Sequence, residues 1–166
     1  MMTNATLLHV MAASVLTLSA CATSPKTGQR TANEPINTEI RDAAEARSLR
    51  ISVNMANTFR GNHIPLTPDY GIELHGDSVR SFLPYYGRAY RAPLRSESPL
   101  DFDCRMTDYT TTETDDGSTR IEFETRTIDD LYKFSIDIFD NGNASIRITA
   151  QQRENITFDG EVDETE

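Results

Sequence analysis

Tyr85, Tyr86 and Tyr90, three of the chain's six tyrosines, fall within six residues of one another, with Arg88 among them. Flat amphipathic rings and a guanidinium held by a rigid turn can stack on sugars or peptide planes, or grip an anion. Tyr85, Tyr86, Arg88 and Tyr90 are therefore the candidate binding surface. The same stretch, Leu83-Pro84-Tyr85-Tyr86-Gly87-Arg88-Ala89-Tyr90, has a second reading. Pro84 cannot donate to a sheet ladder and marks a strand end, an edge or a bulge. The rings would then pack into the sheet and send their hydroxyls to its rim, and the residues alone favour this packing account.

Other side chains able to do chemistry are scattered. His63 lies in Gly61-Asn62-His63-Ile64-Pro65, which reads as a loop, and His75 shares a strand face with Glu73 as a solvated pair. No Cys/His spacing supplies the four convergent ligands of a structural metal. Asp115-Asp116-Gly117-Ser118 is only a fragment of a calcium loop. A phosphate-binding glycine loop and a nucleophile elbow are both missing from the sequence, so no catalytic residue, metal or cofactor is assigned. A hydrolase working from a pair of carboxylates stays as the minor alternative. Cys104 alternates with Phe102 and Met106 on an apolar face, which reads as a small buried hydrophobe.

The remaining reactive group is Cys21. It ends Leu18-Ser19-Ala20-Cys21, directly after the apolar residues 7–18. Twelve residues suit a signal-peptide core and are too few to span a bilayer. The four residues resemble a bacterial lipobox, in which the cysteine is acylated and becomes the first residue of the mature protein. The other reading is an ordinary secretory signal. Two features depart from the lipoprotein pattern: no Lys or Arg precedes the apolar run, and His9 interrupts it. Lipidation at Cys21 predicts a membrane partner through the anchor.

The elements that must position these groups follow from composition and period. Residues 1–20 read as the signal peptide and 21–36 as lipidated cysteine plus flexible tether, with Pro25, Pro35 and few large apolar side chains. A single domain is expected over 37–160, and 161–166 as an acidic disordered tail. The charge of −10 falls wholly outside the signal segment and argues against a nucleic-acid partner. Ile36, Ile40, Ala43 and Ala44 share one helical face, with Asn37 or Thr38 as caps. From Leu49 onward the period becomes two. Leu49, Ile51, Val53 and Met55 alternate inward, and further strands follow around Ile72, Val79, Cys104, Phe123, Phe134, Ile146 and Phe158. Gly76-Asp77, Asp116-Gly117 and Asn141-Gly142 join successive strands as hairpins. The predicted fold is α+β: about eight mainly antiparallel strands in a curved sheet or incomplete barrel, with one N-terminal helix.

The lipobox, the Gly76-Asp77 hairpin, LPYYGRAY, Pro93, the Leu100-Asp101-Phe102 strand and the late Asn141-Gly142 hairpin occur in that order. Together they resemble the domain-of-unknown-function 4251 family of Bacteroidetes-type envelope proteins, over about residues 50–162. Tyr86 stands where phenylalanine is expected. The resemblance implies a lipid-anchored protein of the cell envelope, at the outer membrane facing the periplasm, and brings no activity or catalytic residue. In that setting Asp77-Ser78-Val79 resembles an acceptor for periplasmic O-glycosylation, at Ser78. The function expected is a non-catalytic binding module for an unknown envelope protein or glycan. A structural accessory of an outer-membrane assembly is the alternative.

Overall fold

The computed structural model describes residues 34–91 and 98–163. Helix α1, Glu34–Glu45, starts inside the stretch read as tether. Pro35 explains the earlier start: its fixed φ suits a first helical turn, and its missing N–H falls among donors that have no helical partner there. Asn37 and Thr38, expected as caps, lie within the helix. Ile40 and Ala44 are buried beneath it.

Strands β1 (Ser48–Thr58), β2 (His63–Pro65), β3 (Gly71–His75), β4 (Ser78–Leu83), β5 (Leu100–Glu113), β6 (Thr119–Arg126), β7 (Leu131–Ile138), β8 (Asn143–Ala150) and β9 (Ile156–Val162) follow in order. Every neighbouring pair is antiparallel, and β9 returns to β1, which closes eight strands into a barrel. Short β2 lies outside the eight: it pairs with β1 at residues 55–57, above the 48–52 stretch that pairs with β3. His63 thus opens a strand rather than sitting in a loop, because the turn at 58–62 folds the chain back onto β1.

Close approach at β1 makes the closure possible. Gly71 and Gly160 face it from β3 and β9. A Cβ at Gly71 would stand 2.6 Å from the Ile51 carbonyl oxygen, and one at Gly160 would run into that of Ser52. A bulge between Val53 and Met55 shifts the phase of β1. Ala56 turns inward in place of Met55, which the unbroken alternation had put on the core face. A second bulge, with Asp108 at φ 54°, bends long β5 so that its first half pairs with β4 and its second with β6. Glu161 and Val162, read as the start of a disordered tail, are paired residues of β9, and Asp163 holds Arg50 at 2.7 Å. The acidic composition hid a period of two that runs on through Ile156, Phe158, Gly160 and Val162.

The interior is filled by side chains. Phe123 stacks on Phe134 with centroids 4.8 Å apart, and Tyr132 and Phe158 join them among isoleucines and leucines. Among the described residues the barrel interior is a packed core. Helix α1 covers one end, where the Tyr109 hydroxyl donates to the Ala44 carbonyl at 2.5 Å and Arg41 reaches Glu113 at 3.4 Å. The opposite end gathers the 58–62 turn, residues 84–91, the 127–130 turn and residues 151–155.

Candidate functional site

The end opposite the helix is organised by one buried ion pair. Asp130 sits in the turn between β6 and β7, and Arg153 between β8 and β9; their side chains are 0% and 3% exposed. The Arg153 Nε donates to Asp130 Oδ2 at 3.0 Å. Backbone N–H groups of Leu131, Gln151 and Gln152 donate to the same carboxylate at 2.9, 3.0 and 3.1 Å. A buried carboxylate survives when its lone pairs are met in this way. The guanidinium carbon lies 5.5 Å from the Tyr85 ring centroid and 5.7 Å from that of Tyr132, between two faces that favour a cation.

This pair underlies the strap formed by residues 84–91. The Tyr85 hydroxyl donates to the Glu154 carbonyl at 2.8 Å, and Arg88 N–H donates to the Glu154 carboxylate at 2.9 Å. Glu154 N–H donates to the Arg88 carbonyl, and Tyr90 N–H to the Gln152 carbonyl, which makes a short antiparallel contact at Ala89 and Arg153. Gly87 is required here: a Cβ would strike the Tyr85 hydroxyl. Burial pushes the Tyr85 phenol up to about 12, with Arg153 opposing the shift, and raises that of Tyr132 further for the same reason.

The four rim residues singled out in the sequence are therefore brought together with unequal roles. Tyr85 is half-buried and faces the barrel. Tyr86, Arg88 and Tyr90 stay exposed, the two rings at 45% and 67%. Phe59 on the 58–62 turn and Ile128 on the 127–130 turn join them on the same end, each 72% exposed. Phe59, Ile128, Asp130, Arg153 and Glu154 were not picked out by sequence. Arg153 shows no periodic signal, and its partner lies 23 residues earlier. Only Thr127 followed by Asp129-Asp130 hinted at a turn that bonds its own backbone.

Elsewhere, the outer wall carries a cleft lined by Arg50, Asp69, Glu73, Arg80 and Phe82, with Tyr70 stacked on Phe82 at 5.2 Å. Its charges pair across β1 and β3: Arg50 Nη1 donates to Glu73 at 2.9 Å, and His75 lies 3.6 Å from the same carboxylate. His63 Nδ1 donates to Asn57 Oδ1 at 2.6 Å, and Asn57 in turn donates to Asp159 at 2.7 Å. Among the described residues no three His, Cys, Asp or Glu side chains converge as metal ligands. The desolvated carboxylate of Asp130 is fully engaged by Arg153 and backbone donors. Ser78 opens β4 half-buried, its hydroxyl donating to the His75 carbonyl at 3.1 Å, and neighbouring Asp77 is held by Arg47 and Arg105. Cys104 is half-buried on β5. Cys21 lies outside the described residues.

A family model described as a domain of unknown function, DUF4251, matches residues 32–162. The chain belongs to the DUF4251 family. The barrel is similar to the crystal structure of a DUF4251 family protein from Bacteroides eggerthii, with a TM-score of 0.56 at 13% identity, over 76% of this chain and 87% of that one. At that identity the likeness speaks to the fold alone. No curated protein matches the sequence. DUF4251 membership agrees with the architecture and carries no role.

Proposed function

We propose that this DUF4251 protein is an envelope lipoprotein, held at the outer membrane on its periplasmic side by acyl chains on Cys21, and that its barrel is a non-catalytic binding module. The observation that carries the reading is the strap. Residues 84–91 are fixed by backbone bonds and by the buried Asp130–Arg153 pair, yet Tyr86, Arg88 and Tyr90 are left exposed. Recognition side chains on an ordered base bind without first losing loop entropy. The filled interior turns any ligand to the outside. Chain entering α1 arrives at the covered end, so a tether from Cys21 leaves the rim free to meet an envelope component.

Intact mass of the protein extracted from its own envelope tests the anchor: acyl additions on a chain beginning at Cys21 are expected, and a Cys21→Ser chain should leave the membrane fraction. Replacing Tyr86 and Tyr90 by alanine tests the rim. Capture of envelope material should fall while the thermal midpoint holds. An equal fall in stability would assign both rings to packing and remove the reading. The structural-accessory alternative draws on Phe59 and Ile128, whose apolar surface a permanent partner would cover.

A further inference from the structure

Six large apolar or aromatic residues are exposed among those described, and four of them, Phe59, Tyr86, Tyr90 and Ile128, belong to the end opposite the helix. They come from three separate connections. Phe59 and Ile128 are at turns closed by their own bonds, Gly61 N–H to the Thr58 carbonyl and Thr127 N–H to the Asp130 carbonyl, each 2.9 Å. Those turns hold the two side chains out rather than letting them collapse onto the barrel.

Charge divides along the same axis. Arg60, Arg88, Arg91 and Arg126 are exposed around this rim. Among the described residues its carboxylates are withdrawn: Asp130 is buried, Glu154 is 14% exposed and 3.9 Å from Arg60, and Asp101 and Asp129 are half-buried. The helix end holds Glu39, Asp42, Glu45, Asp115, Asp116 and Asp140 instead. The helix end has cations too, but Arg41 is paired with Glu113, and Arg47 and Arg105 with Asp77. Among the described residues the excess of positive charge and four of the six exposed apolar tips therefore lie at the rim.

We propose that this rim docks on an anionic bilayer surface, with Phe59 and Ile128 entering the headgroup boundary, Tyr86 and Tyr90 lying at its level, and the four arginines meeting lipid phosphates. The proposal rests on the reading of the rim as the binding surface and names its partner. Apolar tips flanked by tyrosine and arginine match the layering of a membrane interface. A sugar would leave Ile128 and Phe59 without a polar complement. The acidic end does not defeat the approach. It lies roughly 20 Å away, the height of an eight-residue strand tilted as in a barrel, and at about 0.15 M salt charges are screened beyond about 8 Å.

The test is flotation of residues 32–166, which contain the helix and the whole closed barrel, with vesicles of phosphatidylethanolamine and phosphatidylglycerol or of phosphatidylcholine alone. Binding to the anionic vesicles only is expected. It should weaken about tenfold or more in Phe59→Ser with Ile128→Ser, and again in Arg88→Glu with Arg91→Glu. Thermal midpoints should not change, since all four side chains are exposed. Equal binding to both vesicles, or binding untouched by the rim variants, overturns the proposal. If the wild-type domain ignores both vesicles while Tyr86 and Tyr90 variants still lose capture of envelope material, the lipid is wrong and the rim reading survives. If neither surface nor envelope material is bound, both readings fall.

Discussion

Neutralising Asp130 separates a structural latch from a reactive group. Its carboxylate accepts from three backbone N–H groups and from the Arg153 guanidinium, all within 3.2 Å. Asp130→Ala would orphan four donors at once, about 1–3 kcal/mol each before relaxation, which approaches the whole stability of a small domain, about 5–15 kcal/mol. Asp130→Asn is more informative. The amide keeps one oxygen for the backbone donors but turns an N–H₂ toward Arg153 Nε, so a buried cation loses its counter-charge. The expected loss is about 3 kcal/mol, near the lower bound for breaking a buried pair from one side. For a domain of this size that lowers the thermal midpoint by roughly 10 °C. Arg153→Met removes the cation while filling most of its space between Tyr85 and Tyr132. The double variant should then recover much of the loss, with a coupling of about 2 kcal/mol in a double-mutant cycle. The chain has no tryptophan, so urea unfolding is followed by tyrosine fluorescence and circular dichroism. A loss under about 1 kcal/mol for Asp130→Asn, or strictly additive single effects, would refute the latch.

Gly160→Ala should open the β1–β9 seam, since the added Cβ meets backbone at the Ser52 carbonyl; loss of more than about 3 kcal/mol, read as loss of soluble folded protein, is expected, and a melting curve like wild type would contradict the closure. Alkaline titration gives a signed prediction. The Tyr85 phenol is raised from its ordinary 10.0 to about 12, so the unfolded chain releases this proton first. The stabilisation is complete below about pH 10 and is lost as pH rises toward 12, with Tyr132 acting in the same direction. Tyr85→Phe should flatten that decline and lower stability near neutrality by about 1 kcal/mol; an unchanged alkaline slope would remove Tyr85 as its source. Tyr109→Phe deletes the bond to the Ala44 carbonyl. It should loosen α1 by about 1 kcal/mol, seen as faster amide exchange in residues 40–46 and not in β7, whereas uniform exchange would deny the helix any separate motion.

Strand number, hairpin positions and the antiparallel order were readable because each depends on local signals: alternation, and glycine-bearing turns such as Asn141-Gly142, where φ is 81°. Closure was not. It depends on β9 meeting β1 across about 100 residues, and the one local clue, a glycine inside the alternation at Gly160, is equally the mark of a bulge. Phase errors had the same origin. Nothing in Val53-Asn54-Met55-Ala56 announces an extra residue, since a bulge is set by the register of the partner strand. At the rim, LPYYGRAY was legible as a cluster because its members are adjacent in sequence. The Asp130–Arg153 pair beneath it was illegible, because a charged residue in a polar loop predicts exposure unless its distant partner is known.

That buried pair bears on function as much as on stability. A general acid or base must reach a substrate proton, and neither Asp130 nor Arg153 presents surface through which one could arrive. Fixing the strap from below asks for the opposite arrangement: a charge sealed from water, its lone pairs taken up by three N–H donors, and two tyrosine rings lying over its partner. Such a network specifies one geometry for residues 84–91, because any shift of the strap uncovers an ion that the interior cannot solvate. The exposed side chains above it are therefore held in place by electrostatics they do not themselves display. Tyr86 and Tyr90 could be exchanged for other residues with little effect on the barrel, whereas Tyr85, Gly87 and Glu154 could not. The proposed binding role of the rim and the requirements of the fold are consequently separable by mutation, residue by residue, within a single eight-residue segment and its immediate supports.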